Sequence, residues 1–194
     1  MGKEIKKCLI ISGAPESEIE YYNDYIDGRF VISADSGYNK CAKLDIKPDL
    51  IIGDFDSSDV PDTDIKTIIL PVRKDDTDTF FAVKYAIKQG FNDLVILGGI
   101  GSRFDHTYCN VLALNYCFER NVKAVLINKD KYNYFSFYAF LEDCIKLTTR
   151  GTQYDLTDYD LTVKCPLAQS NSFKDDNITV SYESGKLLLI LSND

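Results

Sequence analysis

Over the first two thirds of the chain, short apolar runs alternate with stretches of helical spacing. The runs Cys8–Ser12, Phe30–Ala34, Leu50–Gly53, Thr67–Leu70, Leu94–Leu97 and Ala124–Ile127 are rich in Ile, Leu and Val and are bounded by polar or turn-forming residues. Continuous apolar runs of that length suit strands buried on both faces of a parallel sheet. Between them, Asp78 to Lys88 carries Phe81, Val83, Ala86 and Ile87 at roughly helical spacing and stops before Gly90, a natural residue just past a helix end. Ser36 to Leu44 predicts a shorter helix, capped by Ser36 or Asp35, with Pro48 turning the chain into the next strand. A further helix is predicted from Asp105 or His106 to Arg120. The pattern reads as an α/β domain over residues 1–128: a Rossmann-like, mostly parallel sheet with helices on both faces.

After residue 128 the texture changes. Tyr132–Leu141, Cys144–Thr149, Gln153–Thr157, Asp160–Val163, Ile178–Tyr182 and Lys186–Leu191 are short strand-like segments separated by polar turns, and no long helical pattern survives. An antiparallel β-sandwich domain over residues 129–194 is the expectation, with Tyr182–Lys186 as a hairpin connection. No internal repeat or low-complexity linker separates the two parts.

Composition narrows the class. Of 194 residues, 45% are hydrophobic and 12% aromatic, enough to build a packed core. Asp and Glu number 30 against 22 Lys and Arg, a net charge of -8, and no basic block offers a path for a nucleic-acid backbone. The six cysteines are scattered without a C-x-x-C pair and the chain has one His, which argues against zinc and for free thiols in a reducing cytosol. The opening charged residues precede only a short apolar run, too little for a signal peptide or membrane span. The expectation is a cytoplasmic protein with no nucleic-acid or membrane partner.

The candidate chemistry lies in carboxylates placed just after the apolar runs: Gly53-Asp54-Phe55-Asp56-Ser57, Lys74-Asp75-Asp76-Thr77-Asp78 and Arg103-Phe104-Asp105-His106. Open α/β sheets bind ligands at the edge where strands end, and like charges gathered there repel unless a hard cation shares them. Each motif has a plainer reading. Asp54 and Asp56, one residue apart, would share a face of an extended segment and grip one ion, yet Gly-Asp and Asp-Ser also form ordinary turns. Carboxylates around Asp78 would cap a helix and complement its dipole, which accounts for one or two of them but not for three with a Lys. Gly98-Gly99-Ile100-Gly101-Ser102-Arg103 is a turn whose backbone could approach phosphate oxygens, with Arg103 as a bidentate donor; it has neither the G-x-G-x-x-G nor the Walker spacing. Asp35 in Ala34-Asp35-Ser36-Gly37 ends another run, where it could hold a hydroxyl or cap the helix.

Taken in order, Ala34-Asp35-Ser36-Gly37, Pro48-Asp49-x-x-x-Gly53-Asp54-x-Asp56-Ser57, Lys74-Asp75-x-Thr77-Asp78 and Gly98-Gly99-x-Gly101-x-Arg103-x-Asp105-His106 closely resemble the thiamine pyrophosphokinase family. Arg150-Gly151-Thr152-Gln153, Leu161-x-x-Lys164-Cys165-Pro166-Leu167 and Ser170-Asn171-Ser172-Phe173 resemble its thiamine-binding β-domain. The resemblance implies transfer of a pyrophosphoryl group from ATP to the hydroxyl of thiamine with release of AMP. It also implies magnesium as cofactor and a homodimer with active sites at the subunit interface. By the same resemblance Asp54, Asp56 and Asp78 form the metal set with Asp75 as an addition. Gly99, Gly101, Arg103 and His106 hold the nucleotide, and Asp35 or Asp105 orients or deprotonates the hydroxyl. Lys164, Cys165, Ser170 and Asn171 face thiamine. Cys165 stands where relatives carry an aromatic residue suited to stacking on a cationic ring, and Phe173 is a candidate substitute. The competing readings are a pyrophosphokinase for another small alcohol such as a hydroxymethylpterin, an Asp-nucleophile phosphohydrolase, and a sensor without turnover.

Overall fold

The computed structural model describes residues 4–14, 19–55, 60–73, 75–101, 103–128 and 132–193. They belong to two compact units, residues 1–130 and 131–194.

In the first unit the six apolar runs are the six strands of one sheet: β1 (Lys7–Ile11), β2 (Phe30–Ala34), β3 (Leu50–Gly53), β4 (Thr67–Ile69), β5 (Asp93–Leu97) and β6 (Lys123–Ile127). Their spatial order is β4-β3-β2-β1-β5-β6 and every pairing is parallel. The chain therefore adds strands outward from β1 on one side, then returns to its other side, which makes the gap between β1 and β5 the topological switch point.

Alternation along the strands divides the core. Cys8, Ile10, Ile32, Ala34, Leu94 and Ile96 pack against α2 (Asp78–Lys88) and α3 (Phe104–Phe118), whereas Leu9, Ile11, Val31, Val95 and Leu97 pack against α1 (Gly37–Lys43) and a 3-10 turn at Glu20–Tyr25. Helices thus cover both faces. Gly90 past α2 takes φ +87°, the left-handed conformation that ends a helix. The 3-10 turn, which places the buried Tyr21 and Tyr22, had no clear periodic signal.

The second unit holds two three-stranded sheets: β7 (Tyr134–Ala139) flanked by β10 (Asn171–Ser172) and β12 (Leu187–Ser192), and β8 (Cys144–Arg150) flanked by β9 (Tyr159–Leu161) and β11 (Thr179–Ser181). All pairings are antiparallel. Phe135 and Phe137 from one sheet meet Cys144, Leu147 and Leu161 from the other in a shared core, the layout of a sandwich.

Two expectations need correction. Gln153–Thr157 is not a strand, because side chains capture its backbone: Asp155 accepts from Thr152 N and Oγ1 at 3.0 and 2.9 Å, and Thr149 Oγ1 accepts from Leu156 N at 2.9 Å. Tyr182–Lys186 is not a hairpin, because β11 pairs with β8 and β12 with β7, so this segment crosses from one sheet to the other.

Candidate active site

The carboxyl ends of the parallel strands open into a cleft of about 510 Å³ in the first unit. Five of the six strands lead into it: Ser12, Gly13 and Ala14 follow β1, Asp35 follows β2, Asp54 follows β3, Asp76 and Asp78 lie between β4 and the first turn of α2, and Gly99, Gly101, Arg103 and His106 come after β5. The same edge that buries Ile and Leu within the sheet thus presents carboxylates and glycine backbone just beyond it, as the strand-end rule requires.

Asp35 and Phe55, the neighbour of Asp54, sit in unusual backbone. Asp35 has φ +52° and Phe55 φ +51°, both in the left-handed region. Phe55, which follows Asp54, is left-handed where an extended segment was expected; Asp56 lies outside the described residues. Strained non-glycine residues at a strand end are a feature of sites whose geometry is held by surrounding structure.

The start of α2 separates capping from chemistry. Thr77 occupies the N-cap, its Oγ1 accepting from Phe80 N at 3.2 Å. Capping therefore does not account for the neighbouring carboxylates. Asp76 lines the cleft and accepts from Lys84 Nζ at 2.7 and 2.8 Å, while Asp75 is exposed and does not line it. The cleft-facing carboxylate of this pair is thus Asp76. At α1 the position called as cap is Ser36, yet its hydroxyl makes no capping bond and donates instead to Gly13 O at 3.4 Å.

The glycine-rich turn is pinned by α3. Asn110 Nδ2 donates to Gly99 O at 2.7 Å, and Thr107 Oγ1 accepts from Gly101 N at 3.2 Å. Ser12 Oγ and Thr79 Oγ1, 2.6 Å apart and buried, join the end of β1 to the first turn of α2. Ser12, Thr79 and Asn110 were not singled out from the sequence; their signal is position alone, directly after a strand or inside the first turns of a helix. Arg103 lines the cleft and holds Asp105 through Nε and Nη2 at 3.3 and 2.6 Å. That hydrogen bond keeps the Asp105 carboxyl below its ordinary range and raises the Arg103 guanidinium. Asp105 is exposed and does not itself line the cleft, between Arg103 and His106, which do.

Residues 23–126 match the thiamin pyrophosphokinase catalytic domain, and residues 124–187 match the thiamin pyrophosphokinase vitamin B1 binding domain. The chain belongs to the thiamin pyrophosphokinase family. A thiamine pyrophosphokinase of Bacillus subtilis (strain 168) is 27% identical, with 98% of this chain and 100% of that protein covered. The crystal structure of thiamine pyrophosphokinase from Bacillus subtilis superposes with a TM-score of 0.88 at 25% identity, covering 97% of this chain and all of the other. That of a thiamin pyrophosphokinase from Geobacillus thermodenitrificans gives 0.82 at 24% identity, covering 97% of this chain and 98% of the other.

Within the vitamin B1 binding region of this thiamin pyrophosphokinase family member, Lys164, Cys165 and Ser170 are exposed, Ser170 with φ +49°. Asn171 is different. Only 4% exposed, its amide donates to Tyr154 O at 3.0 Å and accepts from Tyr154 N at 3.1 Å, so it clamps the neighbouring loop. Tyr154 is 69% exposed on that clamped backbone, and Phe173, half-exposed, packs against Phe135 at 5.0 Å.

Proposed function

We infer that the chain is a thiamine pyrophosphokinase, transferring the terminal pyrophosphoryl group of ATP to the hydroxyl of thiamine. The observation that carries this reading is the convergence of Asp35, Asp54 and Asp78 with Gly99, Gly101 and Arg103 on one cleft, in a chain that matches both family domains. In the reaction the thiamine oxygen bonds to the β-phosphorus and the bond from that phosphorus to the α–β bridging oxygen breaks. AMP leaves with the electron pair, and the hydroxyl proton passes to a carboxylate. Asp35, which lines the cleft, is the better placed acceptor than Asp105, which Arg103 engages at the surface. Arg103, oriented by Asp105, presents its remaining donors to the phosphates.

Magnesium fits this donor set. Among the described residues no three acidic, His or Cys side chains form a finished metal cluster. Magnesium, however, is ordinarily bound by one or two carboxylates together with substrate phosphates, and the carboxylate oxygens of the cleft are hard ligands of that kind. Asp54 and Asp78, with Asp56 of the same motif, would hold it, and when bound it neutralises charge on the transferring group. The enzyme is read as a cytoplasmic homodimer with active sites where subunits meet.

Product analysis tests the assignment. Incubated with ATP and magnesium, the protein is expected to form AMP only when thiamine is present, in equal amount with thiamine diphosphate. ADP as product, or thiamine-independent phosphate, would overturn it.

A further inference from the structure

Lysine is rarely buried unless it has a structural or chemical task. Lys40, on α1, is only 8% exposed and lies beneath the edge of the sheet. Its Nζ donates to Ala14 O at 2.5 Å and stands 6.0 Å from the centre of the Tyr22 ring. It also packs against Gly98: a Cβ placed there would fall 2.4 Å from Lys40 Nζ, 2.5 Å from Ser12 O and 2.7 Å from the Tyr22 hydroxyl. Gly98 has φ +63°, so only glycine suits both the conformation and the space.

These contacts join two loops that leave adjacent strands at the switch point. Ser12 N donates to Leu97 O at 2.8 Å and Ala14 N to Gly98 O at 2.9 Å, and Lys40 takes the Ala14 carbonyl from below. Gly13, whose amide is engaged by none of these bonds, lies between them and lines the cleft. The cleft itself carries Asp35, Asp54, Asp76 and Asp78, a field that opposes a polyphosphate. A fixed cation directly under the loops offsets that field.

We propose that Lys40 is a positioning residue for the nucleotide: from beneath the switch point it holds the Ser12–Ala14 and Gly98 loops in register and supplies positive charge under the phosphate chain of ATP. This rests on the reading of the cleft as the ATP site. It predicts a specific effect on nucleotide affinity that a purely structural lysine would not produce. Burial, with Lys43 on the same helix, pushes the Lys40 ammonium down to about 8, offset in part by Cys41. Among the described residues the Tyr22 ring, 6.0 Å from Nζ, also faces it.

The test compares wild type with Lys40→Gln, which keeps a donor without charge, and Lys40→Met, which keeps only the stem. Binding of ATP with magnesium is measured by calorimetry from about pH 6.5 to 9, beside the steady-state constants. The expected result is an ATP Kd and KM raised by about tenfold in both variants, the size of one charge-assisted contact, with thiamine KM unchanged. In wild type, ATP affinity falls as pH rises through about 8, and in Lys40→Gln that fall is absent. Unchanged ATP affinity in a folded variant, or an equal pH-dependent fall in Lys40→Gln, overturns the proposal. If neither variant folds, the wild-type profile decides alone: constant ATP affinity across pH 8 overturns it. Binding is read without turnover, so loss of the thiamine reaction would strike the functional reading and leave this result standing.

Discussion

Asp54 directly follows the last residue of β3, so the strand that buries Leu50, Ile51 and Ile52 also aims the carboxylate into the cleft. Asp54→Asn keeps the shape and removes the charge. Turnover is expected to fall by about 10²–10³-fold, as for other single electrostatic groups that act on a developing charge, with the melting temperature within a few degrees of wild type. Near-wild-type turnover would refute a metal role for Asp54. Most of the cleft-facing carboxylates were legible from the sequence because each follows an apolar run. Asp76 was not, because adjacent carboxylates at a helix start differ only in where their side chains point, and Lys84 settles that here. Asn171 shows the converse: a motif position names a residue type, and only packing shows that its amide is turned inward onto Tyr154.

At the scale of elements, the edge of the sheet opposite the cleft is held by charge. Arg29, just before β2, donates to Asp93 Oδ1 at 2.8 Å and to the backbone of Asp93 at 3.1 Å, linking β2 to β5; both side chains are 14% exposed. Burial alone would push the Asp93 carboxyl up. The Arg29 hydrogen bond and the charges of Arg29, Lys123 and Lys7 outweigh it and hold the group below its ordinary value. A depressed folded value means the stabilisation is present above the unfolded pKa of about 3.9 and is lost as pH falls through the folded one. Asp93→Asn should therefore lower the unfolding free energy by about 1–3 kcal/mol at neutral pH in urea titrations. The difference from wild type should shrink as the buffer is taken below about pH 4. An undiminished difference in acid would mean the loss is one of packing. The strands and α2 were readable because their periodicity is strong, whereas the loop at 153–157 and the segment at 182–186 were not. The first is shaped by side-chain bonds, from Asp155 to Thr152, Thr149 to Leu156 and Asn171 to Tyr154, and the second by which sheet each flanking strand joins.

For the whole molecule, the homodimer is the prediction that matters most. Leu189, Ile190 and Leu191 stand exposed on β12, an apolar stretch of the kind that marks an interaction surface. Sedimentation equilibrium is expected to give twice the chain mass, and Ile190→Glu to shift the species toward monomer; a monomeric wild type would refute the dimer. Among the described residues no helix is long and apolar enough to cross a membrane. What the sequence determined by itself is the division into a parallel α/β part and an antiparallel part, and the placing of acidic and glycine motifs at strand ends, because burial periodicity and turn chemistry are local. Tertiary structure decided which of those groups share a cleft, which of two adjacent carboxylates faces it, and that a lysine on α1 lies beneath it. These depend on strand order and on contacts between residues distant in sequence, which no local pattern encodes.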